Sequence, residues 1–420
     1  MRGIALTLLL AGCYGPTFAP GTPCSATGDC PGDLVCDTSQ SPPTCVESLP
    51  DGGIEPACTD DSDCFDDAPI CDLATRQCRG CVADSECASD ICHELDGTCV
   101  DESLAVYAAP DGASDACTRT APCSLDVALN QLSTLRPALK LAAGVYAREL
   151  QLDGTGERIV SGPSRDPAEV TLTVPFGRAI EIAVLGDAIV EGLTIAESPD
   201  AGVVDRGGSV TLSRLAIERN GGIGIDHRQG QLFVSDCTIT GNDGVGIVSN
   251  GGGIDIERTL VDTNAGGGID LANGGGTVTN TVIRGNGLAN SNVGGLRIGG
   301  GAVIELVTIV RNTGGLFSGV NCQLPASIAS SIVADNGGAA QMSPLCSARY
   351  SLFFPSGPTD MDPTNLIGEP RFDNPETGFH LVADSPGVDA ADPASAVRDD
   401  FDGDDRPAGA APDIGADELR

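Results

Sequence analysis

Short apolar positions return along most of this chain at a nearly constant spacing, separated by polar and glycine-rich segments. Successive equivalents of Ile239 lie 22 residues apart four times, and then 26 and 24 residues apart. A second apolar column precedes this one by five positions, and a mainly asparagine column follows it by three. The first column consists of Ile195, Ile217, Ile239, Val261, Ile283, Ile309 and Val333. Such a fixed period indicates a repeated structural unit.

The composition of the repeat favours strands over helices. Its apolar positions are short and mostly β-branched, and Gly and Asn stand between them. A unit of this length cannot bury its inner face alone, so we expect coils stacked about 4.8 Å apart. We therefore predict an all-β fold, a right-handed single-stranded parallel β-helix of roughly nine coils with a 22–26-residue repeat.

The asparagine column predicts a structural ladder. Asn tolerates the bend after a strand, and side-chain amides stacked on successive coils hydrogen-bond to one another. Repetition of one residue type on six coils favours this interpretation over catalysis. The ladder residues are Asn220, Asn242, Asn264, Asn286, Asn312 and Asn336.

The repeated pattern I-x-x-N-x-G-x-G-I resembles the parallel β-helix repeat family of the pectate-lyase-like superfold, over roughly residues 104–420. The resemblance implies the fold far more than a function. A polysaccharide lyase of this fold would need calcium-binding carboxylates and an Arg or Lys base, and a hydrolase would need paired carboxylates. The Asn-Thr-Asp, Asp-Asp, Gly-His-Gly and Arg-Ile-Lys motifs of polygalacturonases are absent as a set.

Both ends of the predicted β-helix have distinct sequences. Ser124 as N-cap, with Leu125, Ala128 and Leu129 on one face, predicts a short helix that covers the first coil. The β-helix with this cap is predicted over residues 104–395. Near the C-terminus, "SPGVDA", "DGDDRP" and "DIGADE" resemble the last segment of extracellular β-helix proteins called choice-of-anchor Q. Residues 396–420 are accordingly predicted to be a capping or anchor-like segment.

The N-terminus predicts export and lipidation. Arg2 precedes a short apolar run that is too short to span a bilayer. Leu10-Ala11-Gly12-Cys13 resembles a bacterial lipobox, which implies that residues 1–13 form a signal with Cys13 as the lipidated residue. The alternative is an ordinary secretory signal with a chance cysteine. We expect an exported protein, lipid-anchored in the bacterial outer membrane or on the cell surface, followed by a Pro/Gly linker at residues 14–23.

Residues 24–100 contain three modules of four cysteines each. Modules this small need cross-links, and outside the cytoplasm these are disulfides, although the spacing does not give the pairing. Zinc is the alternative, suggested by Cys78-x2-Cys81. The modules contain Cys24, Cys30, Cys36 and Cys45; Cys58, Cys64, Cys71 and Cys78; and Cys81, Cys87, Cys92 and Cys99.

Position predicts two further disulfides and leaves one cysteine over. Cys322 and Cys346 each follow their reference residue by 13 positions, so they should stack on adjacent coils. Cys117 and Cys123 flank a short turn and form the second pair. Cys237 shares its column with no other cysteine, so we expect a buried, inert thiol.

Charge excludes some partners. The formal net charge is −36, with one lysine, Lys140, against 22 arginines. Such a surface repels nucleic acid and is typical of a soluble exported protein.

Two groups of residues are candidates for chemistry. Asp226, His227 and Arg228 share one turn, and Asp270 recurs in the Asp226 column; they are weak catalytic candidates, because neighbours in a strand alternate between its faces. Asp400, Asp402 and Asp404 match the start of an EF-hand loop and are weak calcium ligands, an Asp-rich turn being the alternative. No other cofactor is expected.

We predict a binding or structural protein whose long flank contacts a surface glycan or another protein, with a membrane contact through the N-terminal lipid. The alternative is a carbohydrate-active enzyme, a polysaccharide lyase or glycoside hydrolase. An enzyme should have a lateral groove with converging carboxylates and a basic residue.

Overall fold

The computed structural model describes residues 35–37, 44–46, 58–65, 68–93, 96–338, 340–374 and 376–420, the first two segments as backbone only. The predicted signal and linker, including Cys13, and Cys24 and Cys30 lie outside the described residues. The chain divides into two compact units, residues 1–80 and 81–420. None of the helices described is long and apolar enough to cross a membrane.

Each cysteine module contains one short antiparallel hairpin. The hairpins are β1 (Val35–Asp37) with β2 (Thr44–Val46), β3 (Ile70–Asp72) with β4 (Gln77–Arg79), and β5 (Cys92–His93) with β6 (Thr98–Cys99). In the second and third modules the first cysteine pairs with the third, and the second pairs with the fourth. These disulfides are Cys58–Cys71, Cys64–Cys78, Cys81–Cys92 and Cys87–Cys99. These eight cysteines are therefore occupied by disulfides, as predicted, and not by zinc.

Short strands follow one another through the rest of the chain, with one α-helix, α1 (Leu125–Gln131), near the start. The strands are β7 (Ala105–Ala108), β8 (Ala138–Leu141), β9 (Gly144–Tyr146), β10 (Leu150–Thr155), β11 (Arg158–Ser161), β12 (Val170–Leu172), β13 (Ile180–Leu185), β14 (Asp187–Glu191), β15 (Thr194–Ala196), β16 (Val203–Asp205), β17 (Ser209–Ser213), β18 (Ala216–Glu218), β19 (Ile225–His227), β20 (Gln231–Ser235), β21 (Thr238–Thr240), β22 (Val245–Ser249), β23 (Gly253–Glu257), β24 (Leu260–Asp262), β25 (Gly267–Leu271), β26 (Gly275–Thr279), β27 (Val282–Arg284), β28 (Leu296–Ile298), β29 (Val303–Glu305), β30 (Thr308–Val310), β31 (Val320–Cys322), β32 (Ala326–Ala329), β33 (Ile332–Ala334), β34 (Cys346–Arg349), β35 (Leu352–Phe354) and β36 (Leu366–Ile367). Short 3-10 helices span Asp61–Asp63, Asp84–Glu86, Glu102–Leu104 and Pro167–Glu169.

These strands form three parallel sheets, so the predicted parallel β-helix is confirmed. Sheet A has eight strands in the order β10-β13-β16-β19-β22-β25-β28-β31. Sheet B has eleven, β34-β32-β29-β26-β23-β20-β17-β14-β11-β8-β7, and sheet C has eleven, β36-β35-β33-β30-β27-β24-β21-β18-β15-β12-β9. The eleven strands exceed the roughly nine predicted coils, because the first and last coils lack the regular repeat.

The reference column lies in sheet C and faces the core. Its members pair coil by coil, for example Ile217 with Ile239 and Ile239 with Val261, and each is fully buried. The columns of the three sheets join in one continuous apolar core. Cys237 belongs to this core as the free cysteine of the described chain, and burial raises the pKa of its thiol to about 12.

The asparagine ladder stands at the bend after the sheet C strand. The Asn242 side-chain amide donates to the Ile217 carbonyl at 3.0 Å and to the Asn264 side-chain oxygen at 2.8 Å. That oxygen also accepts from the Asn242 backbone N–H at 3.1 Å. The same set of bonds recurs from Asn220 through Asn312, and Gln341 accepts the last amide, that of Asn336. Each side chain therefore satisfies backbone groups of two coils at a buried corner.

Both disulfides predicted from position are present, Cys117–Cys123 and Cys322–Cys346. The helix α1 also forms as predicted. The Ser124 hydroxyl accepts from the Val127 N–H, and Leu125 and Ala128 are buried in the core at the first coil.

The C-terminal segment covers more of the β-helix than its last coil. Instead of only closing the last coil, it lies along the outer face of sheet C. Ala416 packs with Val282, and its N–H donates to the Thr308 hydroxyl at 3.0 Å. Ile414 packs against Ile332 and Leu352. Several outward residues of sheet C on these coils are apolar, among them Val282, Ile332 and Leu352, so covering them removes apolar surface from water.

The third cysteine module packs on sheet B, so the boundary between the two compact units falls inside the 24–100 segment. Ile91 of this module is fully buried among Tyr107, Ile159 and Ile189. The Tyr107 hydroxyl donates to the Ser89 carbonyl at 3.0 Å. The module thus covers part of the outer face of the first coils.

We predict that Asn264→Ala lowers the free energy of unfolding by roughly 3 kcal/mol or more, because it leaves buried partners on two coils unsatisfied, at about 1–3 kcal/mol each. Urea unfolding followed by circular dichroism measures this loss. The control is Asn273→Ala, at an exposed asparagine in a turn, with an expected change under about 0.5 kcal/mol. Equal losses in the two variants would argue against the ladder as the stabilising element.

Candidate functional site on the outer face of sheet A

The outward column of sheet A alternates between acidic and aliphatic residues over its five central coils, from Glu181 to Asp270. It contains, on successive coils, Gln151, Glu181, Val204, Asp226, Val248, Asp270, Arg297 and Asn321. Seven coil spacings separate its ends, a length of about 34 Å. The three carboxylates stand on every second coil, which places them about 10 Å apart.

Each of these three carboxylates is paired with arginine. Glu181 is held by both Arg178 and Arg206. Burial would raise the pKa of Glu181, but its hydrogen bonds and charge interactions with the two guanidinium groups hold the pKa below its ordinary value. The Glu181 carboxylate is therefore ionised at neutral pH.

The other two pairs follow the same plan. The Arg228 Nη2 lies 2.6 Å from the Asp226 Oδ2, and Asn250 donates to the other oxygen of Asp226 at 3.4 Å. The Arg297 Nε donates to the Asp270 Oδ1 at 2.8 Å, and its Nη2 contacts the Oδ2. The result is a polar ladder along the floor of this face.

Two depressions lie along the same face, and we call them, together with the outward column of sheet A, the groove. One, of about 490 Å³, is lined at the N-terminal end by Gln151, Asp153, Arg148 and Phe176 among others. The Phe176 ring is 83% exposed. The second, of about 350 Å³, surrounds Asp226 and Arg228 and includes the exposed Asp200 and Asp243.

Of the sequence-predicted catalytic candidates, Asp226 and Arg228 come together and His227 does not. His227 faces the core and is fully buried, with its Nδ1 2.6 Å from the buried Asp205 Oδ2 on the preceding coil. Its Nε2 has no hydrogen-bond partner. Asp270 lies two coils from Asp226 on the same outer column. Strand alternation therefore divides the group as expected.

The three predicted calcium ligands do not converge. The Asp400 Oδ1 accepts from the N–H groups of Asp402 and Asp404, and its Oδ2 accepts from the Glu418 N–H. The Asp402 Oδ2 lies 2.9 Å from the His380 Nε2. Asp404 pairs with Arg420 at 2.8 Å. Each carboxylate has a different partner, and Asp400 organises the turn; a role for calcium stays a prediction.

The C-terminal motifs contain a buried ion pair that the sequence does not single out. Arg406 and Glu418 are almost fully buried and 3.1 Å apart. Arg406 also donates to the carbonyls of Asp399, Asp413 and Gly415. Arg406 therefore connects the motif "DGDDRP" to the motif "DIGADE" and stabilises the conformation of both, which gives these residues a structural role.

One mixed group of ligand atoms occurs among the described residues apart from the disulfide cysteines. His380, Asp402 and Asp417 each place one ligand atom within 4.8 Å of the others. Burial raises the pKa of Asp417 to about 6, and its Oδ2 accepts from the Leu381 N–H at 2.6 Å.

Several residues of the groove cannot be predicted from the sequence pattern. Glu181 stands 14 positions before its reference Ile195, whereas Val204, Asp226, Val248 and Asp270 stand 13 before theirs. One extra residue in this coil hides Glu181 from the column. Arg178, Arg206 and Phe176 lie in turns, where the repeat carries no signal.

Comparisons with known proteins agree with this architecture. A family model described as "Right handed beta helix region" matches residues 169–314. The solved structure of pectate lyase Pel9A is similar with a TM-score of 0.59 and 16% identity, covering 75% of this chain and 96% of that one. The alginate lyase AlyGC of family PL6 matches with a TM-score of 0.29 and 12% identity, over 66% and 55% of the two chains. No curated protein matches. The family model and the likeness to Pel9A establish a right-handed, pectate-lyase-like β-helix and leave the activity open.

We predict that Asp417→Asn stabilises the protein more at pH 7 than at pH 4. The folded-state pKa of about 6 lies above the ordinary aspartate value of 3.8, so the stability that this carboxyl contributes is full below pH 4 and is lost as the pH rises through about 6. Asn keeps an acceptor for the Leu381 N–H and does not ionise.

The difference in free energy of unfolding between Asp417→Asn and wild type should therefore rise with pH, by roughly 1–3 kcal/mol. Thermal unfolding at both pH values measures it, with the exposed Asp153→Asn as control. A difference that stays flat or shrinks between pH 4 and 7 is incompatible with this assignment.

Proposed function

We propose that this protein binds an extended polysaccharide along the outer face of sheet A. The observation that carries the proposal is the spacing of the carboxylate–arginine pairs at Glu181, Asp226 and Asp270. Their separation of about 10 Å, two coil spacings, is close to the length of one disaccharide in an extended 1,4-linked glycan. A polymer lying parallel to the coil axis would meet the same polar group at each repeat.

The two depressions support this mode of binding. Phe176 offers an exposed ring at one end, and aromatic rings pack well against the apolar faces of sugars. The paired side chains present donors and acceptors that are already oriented by their ion pairs, so little conformational entropy is lost on binding. The remaining charge of the groove is acidic, which favours neutral or cationic glycans, or acidic ones bridged by cations.

A second candidate function is cleavage of the bound chain. The depression around Asp226 and Arg228 has two further exposed carboxylates, Asp200 and Asp243, so carboxylates and a basic residue line one depression, which acid–base cleavage would require. Lys140, the other type of base that lyases use, is buried beneath the third module and cannot take this role. Either elimination or hydrolysis would centre on Asp226 and Arg228.

Binding should depend on the groove and not on exposed arginine in general. A panel of neutral, acidic and cationic glycans first identifies the one that binds most tightly. We predict that Arg228→Ala weakens the affinity for that glycan by about tenfold or more, a loss of about 1.4 kcal/mol in binding free energy. Isothermal titration calorimetry measures the affinity. The control is Arg219→Ala on sheet C, which also removes an exposed arginine paired with a carboxylate, that of Glu218.

Affinity reduced equally by both substitutions, or no binding to any glycan, would contradict the binding role. The same panel, with calcium or with a chelator, tests catalysis. Unsaturated products indicate elimination and new reducing ends indicate hydrolysis. Turnover that is abolished in Arg228→Ala and kept in Arg219→Ala would favour the enzyme.

We also propose that the protein is exported and tethered through a lipid on Cys13. We predict that metabolic labelling with an alkyne fatty acid marks the wild-type protein in bacterial cells and is lost in Cys13→Ala, which should leave the membrane fraction. Cys237→Ala, which removes the free thiol of the described residues, is the matched control. Labelling that persists in Cys13→Ala would rule out this anchor.

A further inference from the structure

The one lysine of this chain occupies an unusual position. Every other cation in the described ion pairs is an arginine or a histidine, although lysine would serve equally well at most exposed sites. Lys140 points outward from β8 and is buried beneath the third cysteine module, with 7% of its side chain exposed. Arginine stays protonated in proteins, whereas a lysine can act as a nucleophile once it loses a proton. Lysine therefore stands in place of arginine at the one described ion pair where a nucleophilic amine would be useful.

Lys140 contacts the carboxyl group of Asp84 and the hydroxyl of Ser161, and Asp84 has a further contact of its own with the backbone. Its Nζ lies 2.7 Å from the Oδ2 of Asp84, whose side chain is 9% exposed. The Ser161 hydroxyl lies 3.0 Å from both the Lys140 Nζ and the Asp84 Oδ2. The other carboxyl oxygen, Oδ1, accepts from the Cys92 backbone N–H at 3.0 Å.

We propose that Lys140 and Asp84 condense to form an intramolecular amide, an isopeptide bond between the third module and the β-helix. A proton passes from the ammonium to the Asp84 Oδ2, directly or through the Ser161 hydroxyl. The free amine attacks the Asp84 carboxyl carbon and forms the C–N bond. The C–Oδ2 bond then breaks, and Oδ2 leaves as water with the two protons that nitrogen gives up. No oxidant or co-reactant is needed.

Each neighbour has a defined role in this step. The Cys92 N–H faces the oxygen that gains negative charge in the tetrahedral intermediate. Ser161 bridges the donor and the leaving oxygen, so it can relay the proton. Holding the amine against the carboxyl within the fold replaces a bimolecular encounter by an intramolecular one. Condensation also removes two charges that are costly to keep in a buried site.

The bond would fasten the module where the disulfides do not reach. Residues 81–99 carry two disulfides, but both are internal to the module. The Asp84–Lys140 link would connect the module to β8 across 56 residues of sequence and would persist under reducing conditions. An exported protein gains from such a link, because it resists proteolysis that begins at a locally opened module.

The full-length protein, expressed with its disulfides formed, provides the test. Because the chain contains a single lysine, an amine-reactive reagent applied after denaturation counts free Lys140 directly. We expect wild type to take up no more label than Lys140→Arg, which keeps the ion pair and cannot condense. The intact mass of wild type should lie below the sequence mass, corrected for disulfides and processing, by one water molecule.

Peptide mapping of the wild type gives a result that needs no variant. After reduction and trypsin digestion, the linked species should join residues 80–119 to residues 120–148, because an amide at Lys140 blocks cleavage there. Ser161→Ala should slow formation of the linked species. Full labelling of Lys140 and an unreduced mass, after days of incubation of folded and oxidised protein, would overturn the proposal.

Discussion

The β-helix and its outer faces depend on the requirement that successive coils pair in register through parallel backbone hydrogen bonds. A slip of one residue would move each apolar side chain of a coil to the solvent face. The corners of the coil must also satisfy their buried backbone groups, and the asparagine ladder does so by bonding to the coils before and after it. The ladder and the apolar columns thus specify the same register, which is the kind of agreement between local and global preferences that gives one fold.

Register also decides which side chains share a face. On sheet A it aligns Glu181, Asp226 and Asp270 on one outward column, although they are 44 or 45 residues apart in sequence. The outer faces of the other two sheets are partly occupied by the chain itself. The third module covers Ile159 and Ile189 of sheet B, and the C-terminal segment covers the apolar coils of sheet C. On sheet A the three column carboxylates are under 10% exposed, but their partners Arg206, Arg228 and Arg297 keep 38%, 44% and 28% of their side chains exposed. These exposed guanidinium groups are why the proposed function is assigned to this face.

Much of this architecture could be predicted from sequence, because columns of like residues are visible without coordinates. The core position of Ile239, the Asn242 ladder and the Cys322–Cys346 bridge all follow from counting residues between coils. The sequence does not predict which segments outside the repeat pack on the outer faces of the sheets. Nothing in the repeat indicates that Ile91 inserts against sheet B or that Ile414 covers sheet C, because these contacts join segments of unrelated sequence. Glu181 cannot be assigned to the outward column by counting, because its coil contains one extra residue.

The central claim is that the outer face of sheet A is the working face of this protein, and hydrogen–deuterium exchange with and without bound glycan tests it most directly. We expect slower exchange of backbone amides in residues 175–178, 200–206, 221–228 and 243–250, which border the groove. Exchange on the outer faces of sheets B and C should not change. Protection confined to sheet B, sheet C or the cysteine modules, with none along sheet A, would contradict the account.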